Sequence, residues 1–168
     1  TDIIAMAVDH GLSVTVSQPL NPFEVQGVNN RLQLAELERW YQRQQAERLM
    51  TEGASLADPA RIEVRGELTI GNDLWIDVNA VFEGRVSLGN NVVIGPNCVI
   101  KDATIADGAE IKANSVIEGA VVGSNAQIGP FARLRPGTEL AANTKVGNFV
   151  ETKKAVVGEG SKINHLSY

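Results

Sequence analysis

Residue types that could bind an anion or move a proton occur in the last third of the chain, among them Arg135, Glu151, Lys153 and His165. An imidazole, whose unperturbed pKa is about 6.5, is able to take up a proton at neutral pH. Guanidinium groups hold phosphate through two parallel hydrogen bonds, and ammonium groups hold it as point charges. These residue types are therefore suited to binding an anionic group and moving a proton.

Each of these residues also has a structural interpretation. An isolated His such as His165 is more often a surface residue than a base. Arg135 could be a solvated charge in a turn, and Lys153 could be an ordinary surface lysine. Arg133 could contribute to a positive patch or to a subunit contact, and we assign it to no site. His10 precedes a glycine, at the expected C-terminus of a helix that favours a cation, and is interpreted as structural.

Composition excludes several classes of protein. The 168 residues carry 15 Lys and Arg against 20 Asp and Glu, a net charge of −5, which gives no support to a nucleic-acid or anionic-membrane partner. The 43% of hydrophobic residues argues against a disordered chain. Cys98 is alone, so no intrachain disulfide forms, and no signal peptide or long apolar run is present. We expect a cytoplasmic location and, because the chain starts without Met, a segment of a longer protein.

Residues 1–30 predict a single αβ unit. A helix is expected to begin at Thr1 or Asp2 and to end at Gly11, and the alternation of apolar and polar residues over 12–16 predicts a strand with one buried face. One such unit cannot bury its own apolar faces. We therefore interpret it as the last part of an α/β domain.

The segment 31–52 contains no Gly or Pro and predicts a long helix, which is capped by Asn29 or Asn30 and stopped by Gly53. Its many charged residues favour a helix that links two domains. A surface helix packed on a single domain is the alternative.

A hexapeptide repeat fills the rest of the chain. The aliphatic position of the repeat is held by Ile70, Ile76, Phe82, Leu88, Ile94, Ile100, Ile105, Ile111, Ile117, Val122, Ile128, Leu134, Leu140, Val146, Thr152, Val157 and Ile163. Small or branched residues are common four positions later. This period predicts a coil with three flat sides, in which each side is a short strand paired with its equivalents in the neighbouring coils, about 4.8 Å away. Cys98 falls on an inward position, so we interpret it as structural.

Hexapeptide coils of this kind resemble the left-handed parallel β-helix of acyltransferases, which makes the predicted fold mostly β. Particular stretches carry a closer resemblance: residues 24–31, 58–61, 128–137, 147–154 and 165–168. Together they resemble the bacterial bifunctional enzymes that acetylate glucosamine 1-phosphate and then uridylylate the product, giving UDP-N-acetylglucosamine. The resemblance covers the whole chain.

The resemblance implies roles for the residues of the acetyl-transfer site. His165 matches the position of the general base, and Glu151 matches a position that could orient or polarise it. Arg135, Lys153 and Tyr168 match positions that bind the phosphorylated sugar. Acetyl-CoA is the implied acetyl donor.

The resemblance also implies the domain organisation. Residues 1–30 match the end of a uridyltransferase domain, 31–52 a linker helix, and 53–168 the first part of an acetyltransferase β-helix. Asn29 matches a residue that helps to hold Mg²⁺ and the sugar nucleotide in a site that uses UTP. A homotrimer is implied, and since much of both domains is missing, we expect the chain alone to be inactive.

Other interpretations stay open at this point. The coils could form a non-catalytic trimerisation module, or could belong to another hexapeptide-repeat acyltransferase. A β-helix carbonic anhydrase would need several His for its zinc, and the coils contain only His165.

Overall fold

The computed structural model describes residues 2–167, which divide into two compact units, one ending at Trp40 and the other beginning at Tyr41. The first unit contains helix α1 (Asp2–Asp9), a short 3₁₀ helix (Pro22–Val25) and the first half of helix α2 (Arg31–Thr51). The second half of α2 and all the strands belong to the second unit. No helix within 2–167 combines the length and the apolar character needed to cross a membrane.

Helix α1 ends as the sequence predicts. Gly11 has a φ of +71°, and its N–H donates to the carbonyl of Val8 at 2.9 Å. The strand predicted over residues 12–16 is wrong, because this segment forms no regular structure and Val16 is 86% exposed. A strand needs a partner for its backbone groups, and no other strand is found among the described residues of this unit.

Helix α2 confirms the predicted long helix and selects one of its two candidate caps. The Asn30 side chain accepts a hydrogen bond from the N–H of Gln33 at 2.9 Å, and the Gln33 side chain accepts one from the N–H of Asn29 at 2.8 Å. Asn30 is therefore the N-cap of α2, and the Gln33 side chain returns a hydrogen bond to the residue that precedes this cap. Gly53, with a φ of +114°, follows the end of the helix.

The described part of the second unit contains 17 strands, all paired in parallel. In chain order they are β1 (Ala54–Leu56), β2 (Ile62–Ile70), β3 (Leu74–Ile76), β4 (Ala80–Leu88), β5 (Val93–Ile94), β6 (Val99–Lys101), β7 (Thr104–Ile105), β8 (Glu110–Ile111), β9 (Val116–Glu118), β10 (Val121–Val122), β11 (Gln127–Ile128), β12 (Arg133–Leu134), β13 (Glu139–Leu140), β14 (Lys145–Val146), β15 (Glu151–Thr152), β16 (Val156–Val157) and β17 (Lys162–Ile163).

These strands form the three predicted sides of a parallel β-solenoid. One side is the sheet β1-β3-β5-β8-β11-β14-β17. The other two sides are joined into one bent sheet, because β2 and β4 run continuously around a corner. Strands β6, β9, β12 and β15 extend from the first half of β4, and β7, β10, β13 and β16 extend from its second half.

The corner of β2 and β4 is made by two paired glycines. Gly66 has a φ of +149° and Gly84 one of +69°, a region that other residues rarely adopt. A Cβ atom on Gly66 would collide with the carbonyl of Gly84. The close approach of the two coils at this corner therefore requires glycine.

The predicted register and core are confirmed. Leu88 pairs with Ile105 and Val122 pairs with Leu140, which are the 17- and 18-residue spacings between successive coils. The aliphatic positions are buried from Ile76 to Val146, and the positions at the ends of the solenoid, such as Ile163, are partly buried. The thickness of the prism admits one aliphatic and one small residue per side, which explains the scarcity of aromatic residues.

The second half of α2 packs on the first coil of the solenoid. Ala46 and Leu49 are completely buried there, and Arg48 donates from Nη2 to the carbonyl of Leu68 at 3.1 Å. The helix thus closes the end of the core at which β2 has no preceding strand.

Candidate functional site

The candidate site residues Arg135, Glu151 and Lys153 lie together on the outer surface of the side formed by β6, β9, β12 and β15. Strand β12 pairs with β15, so that Arg133 lies beside Glu151, and Leu134 beside Thr152. Leu134 and Thr152 are buried, which turns the residues on either side of them outward. Arg135 and Lys153, which follow this pair, therefore occupy equivalent positions in successive coils.

Glu151 is shared by two arginines. Arg135 Nη1 donates to Glu151 Oε1 at 2.8 Å, while Arg133 Nη1 lies 3.8 Å from Glu151 Oε2. Arg133 Nη2 also lies 3.6 Å from Glu118 Oε2. The three side chains of the Glu151 cluster are 35–51% exposed, so water screens these pairs and they add little to stability. The effect of these ion pairs is to place the three charged side chains next to one another on the surface.

Charge along this surface changes at the last two coils. In the preceding coils, the positions equivalent to Arg135 and Lys153 alternate in the sign of their charge. Lys101 pairs in register with Glu83 on one side and with Glu118 on the other. Lys101 Nζ lies 2.7 Å from Glu83 Oε1, and this hydrogen bond raises the pKa of Lys101. Arg135 and Lys153 instead place two cations in succession. A bound anion would relieve their repulsion.

His165 lies in the turn after β17, on the coil next to that of Glu151. Leu166 donates its N–H to the carbonyl of Asn148, and Glu151 donates its N–H to the carbonyl of Ser167 at 2.8 Å, which joins the two coils at this point. The His165 side chain is exposed. Among residues 2–167 no hydrogen bond or ion pair joins His165 to Glu151, so the structure brings the two residues to neighbouring coils without joining them. Tyr168, the remaining predicted sugar-phosphate ligand, lies outside the described residues.

Two phenylalanines at the adjoining corner were not identified from the sequence. Phe131 and Phe149 stack with ring centroids 5.3 Å apart, are 49% and 57% exposed, and have φ values of +55° and +56°. Earlier coils place Asn at this corner, for example Asn97 and Asn114, joined side chain to side chain at 3.2 Å. Asn adopts positive φ readily, whereas Phe rarely does. The replacement of this recurring turn Asn by Phe in two successive coils is the signal in the sequence that identifies the apolar corner.

Cys98 is confirmed as a structural residue. Its side chain is completely buried, and its thiol donates to the carbonyl of Lys112 at 3.3 Å. Burial raises the pKa of the Cys98 thiol from its ordinary value of 9.0, which suppresses the reactive thiolate.

Asn29 lies in the first unit and is exposed. Magnesium prefers six oxygen ligands, of which one amide side chain can supply a single one. No group of three or more His, Cys, Asp or Glu side chains within 2–167 is arranged to hold a metal ion. The described residues therefore do not form a magnesium site around Asn29, and they give no support to the zinc site of the carbonic anhydrase alternative.

A three-sided parallel solenoid of hexapeptide repeats, with a cationic cluster on one outer surface, defines a hexapeptide-repeat protein. Residues 64–168, more than half of the chain, match the family model of the GMPPB C-terminal domain. The chain belongs to that family.

Particular relatives confirm the resemblance to bacterial bifunctional enzymes. The chain is 99% identical over its whole length to the bifunctional protein GlmU of Marinobacter nauticus, and 60% identical to that of Stutzerimonas stutzeri. It spans 37% of the length of each of these relatives.

A solved structure shows the same fold. The acetyltransferase domain of PglB from Neisseria gonorrhoeae, in complex with acetyl coenzyme A, superposes with a TM-score of 0.60 at 15% identity. The alignment covers 74% of this chain and 62% of that domain. At 15% sequence identity, the similarity between this chain and the PglB domain shows a shared fold and nothing further.

Proposed function

We propose that the chain is a segment of a bifunctional enzyme of UDP-N-acetylglucosamine synthesis, and that its solenoid contributes to acetyl transfer from acetyl-CoA to glucosamine 1-phosphate. The near identity with a bifunctional GlmU protein supports the parent enzyme. The bound acetyl coenzyme A of the PglB domain is consistent with an acyl-transfer role for this fold.

The single structural observation that carries the proposal is the succession of Arg135 and Lys153 on one surface, with Glu151 as the carboxylate bonded to Arg135. A sugar phosphate would place its negative charge between the two cations. Arg135 would bind the phosphate through its guanidinium fork, and Lys153 would add a point charge. Tyr168 is proposed to complete the sugar-phosphate contacts.

In the proposed acetyl transfer, the neutral His165 imidazole removes a proton from the substrate ammonium group. The amine nitrogen then forms a bond to the acetyl carbon and gives up a second proton. The bond from that carbon to sulfur breaks, and coenzyme A leaves with the electron pair and takes up this second proton, while the first proton passes from His165 to solvent. Glu151, one coil away, is proposed to orient the imidazole and to stabilise its protonated form. The exposure of His165 leaves it accessible to a substrate.

The other proposed features of the parent concern its second reaction and its assembly. Asn29 would belong to a uridylyl-transfer site that uses UTP and Mg²⁺, with the remaining ligands outside this chain. The parent is proposed to be a cytoplasmic homotrimer. Since the chain spans 37% of its relatives, we also propose that it catalyses neither reaction alone.

The test of the acetyl-transfer role uses the full-length protein. We expect His165→Ala to lower the rate of acetyl transfer by about 10²- to 10⁴-fold, the usual effect of losing a general base, and to leave uridylyl transfer nearly unchanged. His10→Ala, which changes an exposed His of the first unit, is the matched control. An unchanged acetylation rate in His165→Ala would remove His165 from the mechanism.

The inactivity of the chain alone has its own test. Release of coenzyme A thiol is followed with acetyl-CoA and glucosamine 1-phosphate, and sedimentation reports the assembly state. We expect no release above the background rate. Detectable acetylation by the 168-residue chain would contradict this part of the proposal, whereas trimers without thiol release even in the full-length protein would favour the non-catalytic assembly module.

A further inference from the structure

We infer that Arg133 is a positioning residue for Glu151, and that it holds this carboxylate in place when a sugar phosphate engages Arg135. The inference rests on the proposed function, because it concerns the same site. It assigns a role to a residue that neither contacts the phosphate in the proposed arrangement nor takes part in proton transfer.

The geometry divides the two oxygens of Glu151 between two arginines. Oε1 accepts the hydrogen bond from Arg135, and Oε2 faces Arg133 at 3.8 Å. Arg133 is itself held from its other side, where Nη2 lies 3.6 Å from Glu118 Oε2. One guanidinium thus bridges two carboxylates that belong to different coils.

Arg135 faces two competing demands in the proposed function. It has to bind a phosphate, and in this structure it already binds Glu151. A phosphate on Arg135 would bring a second negative charge next to the Glu151 carboxylate, and the two anions would repel each other. Lys153 is engaged by the phosphate in the proposed arrangement, so without a further cation Glu151 would move away from the phosphate and lose the orientation that His165 requires.

Arg133 provides that cation at a place the phosphate does not need. It lies in the coil position beside Glu151 rather than in the column of Arg135 and Lys153. Two nitrogens of its planar guanidinium face separate carboxylates at ion-pair distance, Nη2 that of Glu118 and Nη1 that of Glu151, so its charge stays between them when Arg135 turns toward the substrate. A lysine would carry the same charge but could not bridge two carboxylates in this way.

The test is a double-mutant cycle on acetyl transfer by the full-length protein. We expect Arg133→Met to lower kcat roughly 3- to 30-fold, the usual range of coupling between residues in one network, while KM for glucosamine 1-phosphate changes less than about twofold. In a Glu151→Gln background the same substitution is expected to have no further effect. Arg133→Lys should restore part of kcat. Arg85→Met, which removes another exposed arginine near a carboxylate, is the control for a change of charge.

Thermal unfolding of each variant separates this role from a loss of folding. An unchanged kcat in Arg133→Met would overturn the inference, as would an equal fall in kcat in the presence and absence of the Glu151 carboxylate. A rise in KM with kcat preserved would also overturn it, since that result would make Arg133 a phosphate ligand. Absence of acetylation in the unsubstituted protein would instead overturn the proposed function, and this inference with it.

Discussion

The side-chain amide of Gln42 hydrogen-bonds both backbone groups of Val64. Its Nε2 donates to the Val64 carbonyl at 3.0 Å, and its Oε1 accepts from the Val64 N–H at 2.8 Å. A residue of helix α2 thereby makes the pair of hydrogen bonds that a preceding strand would make to β2. Gln42 is 3% exposed, so water has little access to these groups. At Val64, the edge strand β2 is in this way blocked from pairing with another chain.

Replacement of this amide should destabilise the second unit. Gln42→Leu leaves a buried N–H and a buried carbonyl without these partners, and we expect the free energy of unfolding to fall by about 2–4 kcal/mol. Urea denaturation of the 168-residue chain measures this change. Gln44→Leu, on the exposed surface of the same helix, is the control and should change stability by less than about 0.5 kcal/mol. Equal effects of the two substitutions would contradict the role of Gln42.

The glycine corner should tolerate no side chain. Gly66→Ala combines a positive φ with a collision against the Gly84 carbonyl, and we expect it to destabilise the solenoid by about 2–5 kcal/mol. Gly27→Ala is the matched control, because a Cβ at Gly27 would meet no atom within 4 Å. Thermal unfolding distinguishes the two variants. A Gly66→Ala protein as stable as the unsubstituted chain would show that this corner adjusts freely.

The buried thiol predicts a pH dependence of stability. Burial raises the pKa of Cys98 above 9.0 in the folded state, so near pH 8 the thiol is protonated in both the folded and unfolded states. Above pH 9 the unfolded chain loses this proton while the folded chain keeps it, which favours unfolding. Stability should therefore fall as the pH rises, by up to about 1.4 kcal/mol per pH unit from this group.

Comparison with Cys98→Ala isolates the contribution of the thiol. The free energy of unfolding is measured in reducing buffer at pH 8 and pH 10 for both proteins, since other groups also titrate in this range. The loss between the two pH values should be smaller in the variant. Parallel losses would show that Cys98 does not contribute.

The two neighbouring cations, Arg135 and Lys153, predict a specific effect on substrate binding. In the full-length protein, Arg135→Met should raise KM for glucosamine 1-phosphate about 10- to 100-fold, the effect expected for losing a bidentate contact to a charged group. Lys145→Met removes an exposed cation from a different side of the solenoid and is the control. Equal KM values in the two variants would argue against a phosphate site at Arg135.

The sequence by itself determined the solenoid. A six-residue period that continues from Ile70 to Ile163 places alternate side chains inward whatever the surroundings, and burial of the inward residues supplies the driving force. The same period determines the spacing between coils, and hence that Arg133 lies beside Glu151. Local capping chemistry likewise predicted where α2 begins and ends.

Only the tertiary structure decided the features that depend on partners distant in the chain. Residues 12–16 have the alternation of a strand, yet the described part of the first unit offers them no strand to pair with. The choice of Arg135 as the hydrogen-bonding partner of Glu151, with Arg133 on its other oxygen, depends on side-chain rotamers at the surface. Hydrophobic periodicity determines which residues face inward, because burial is collective, whereas a single surface hydrogen bond depends on the positions of a few atoms that no pattern in the sequence records.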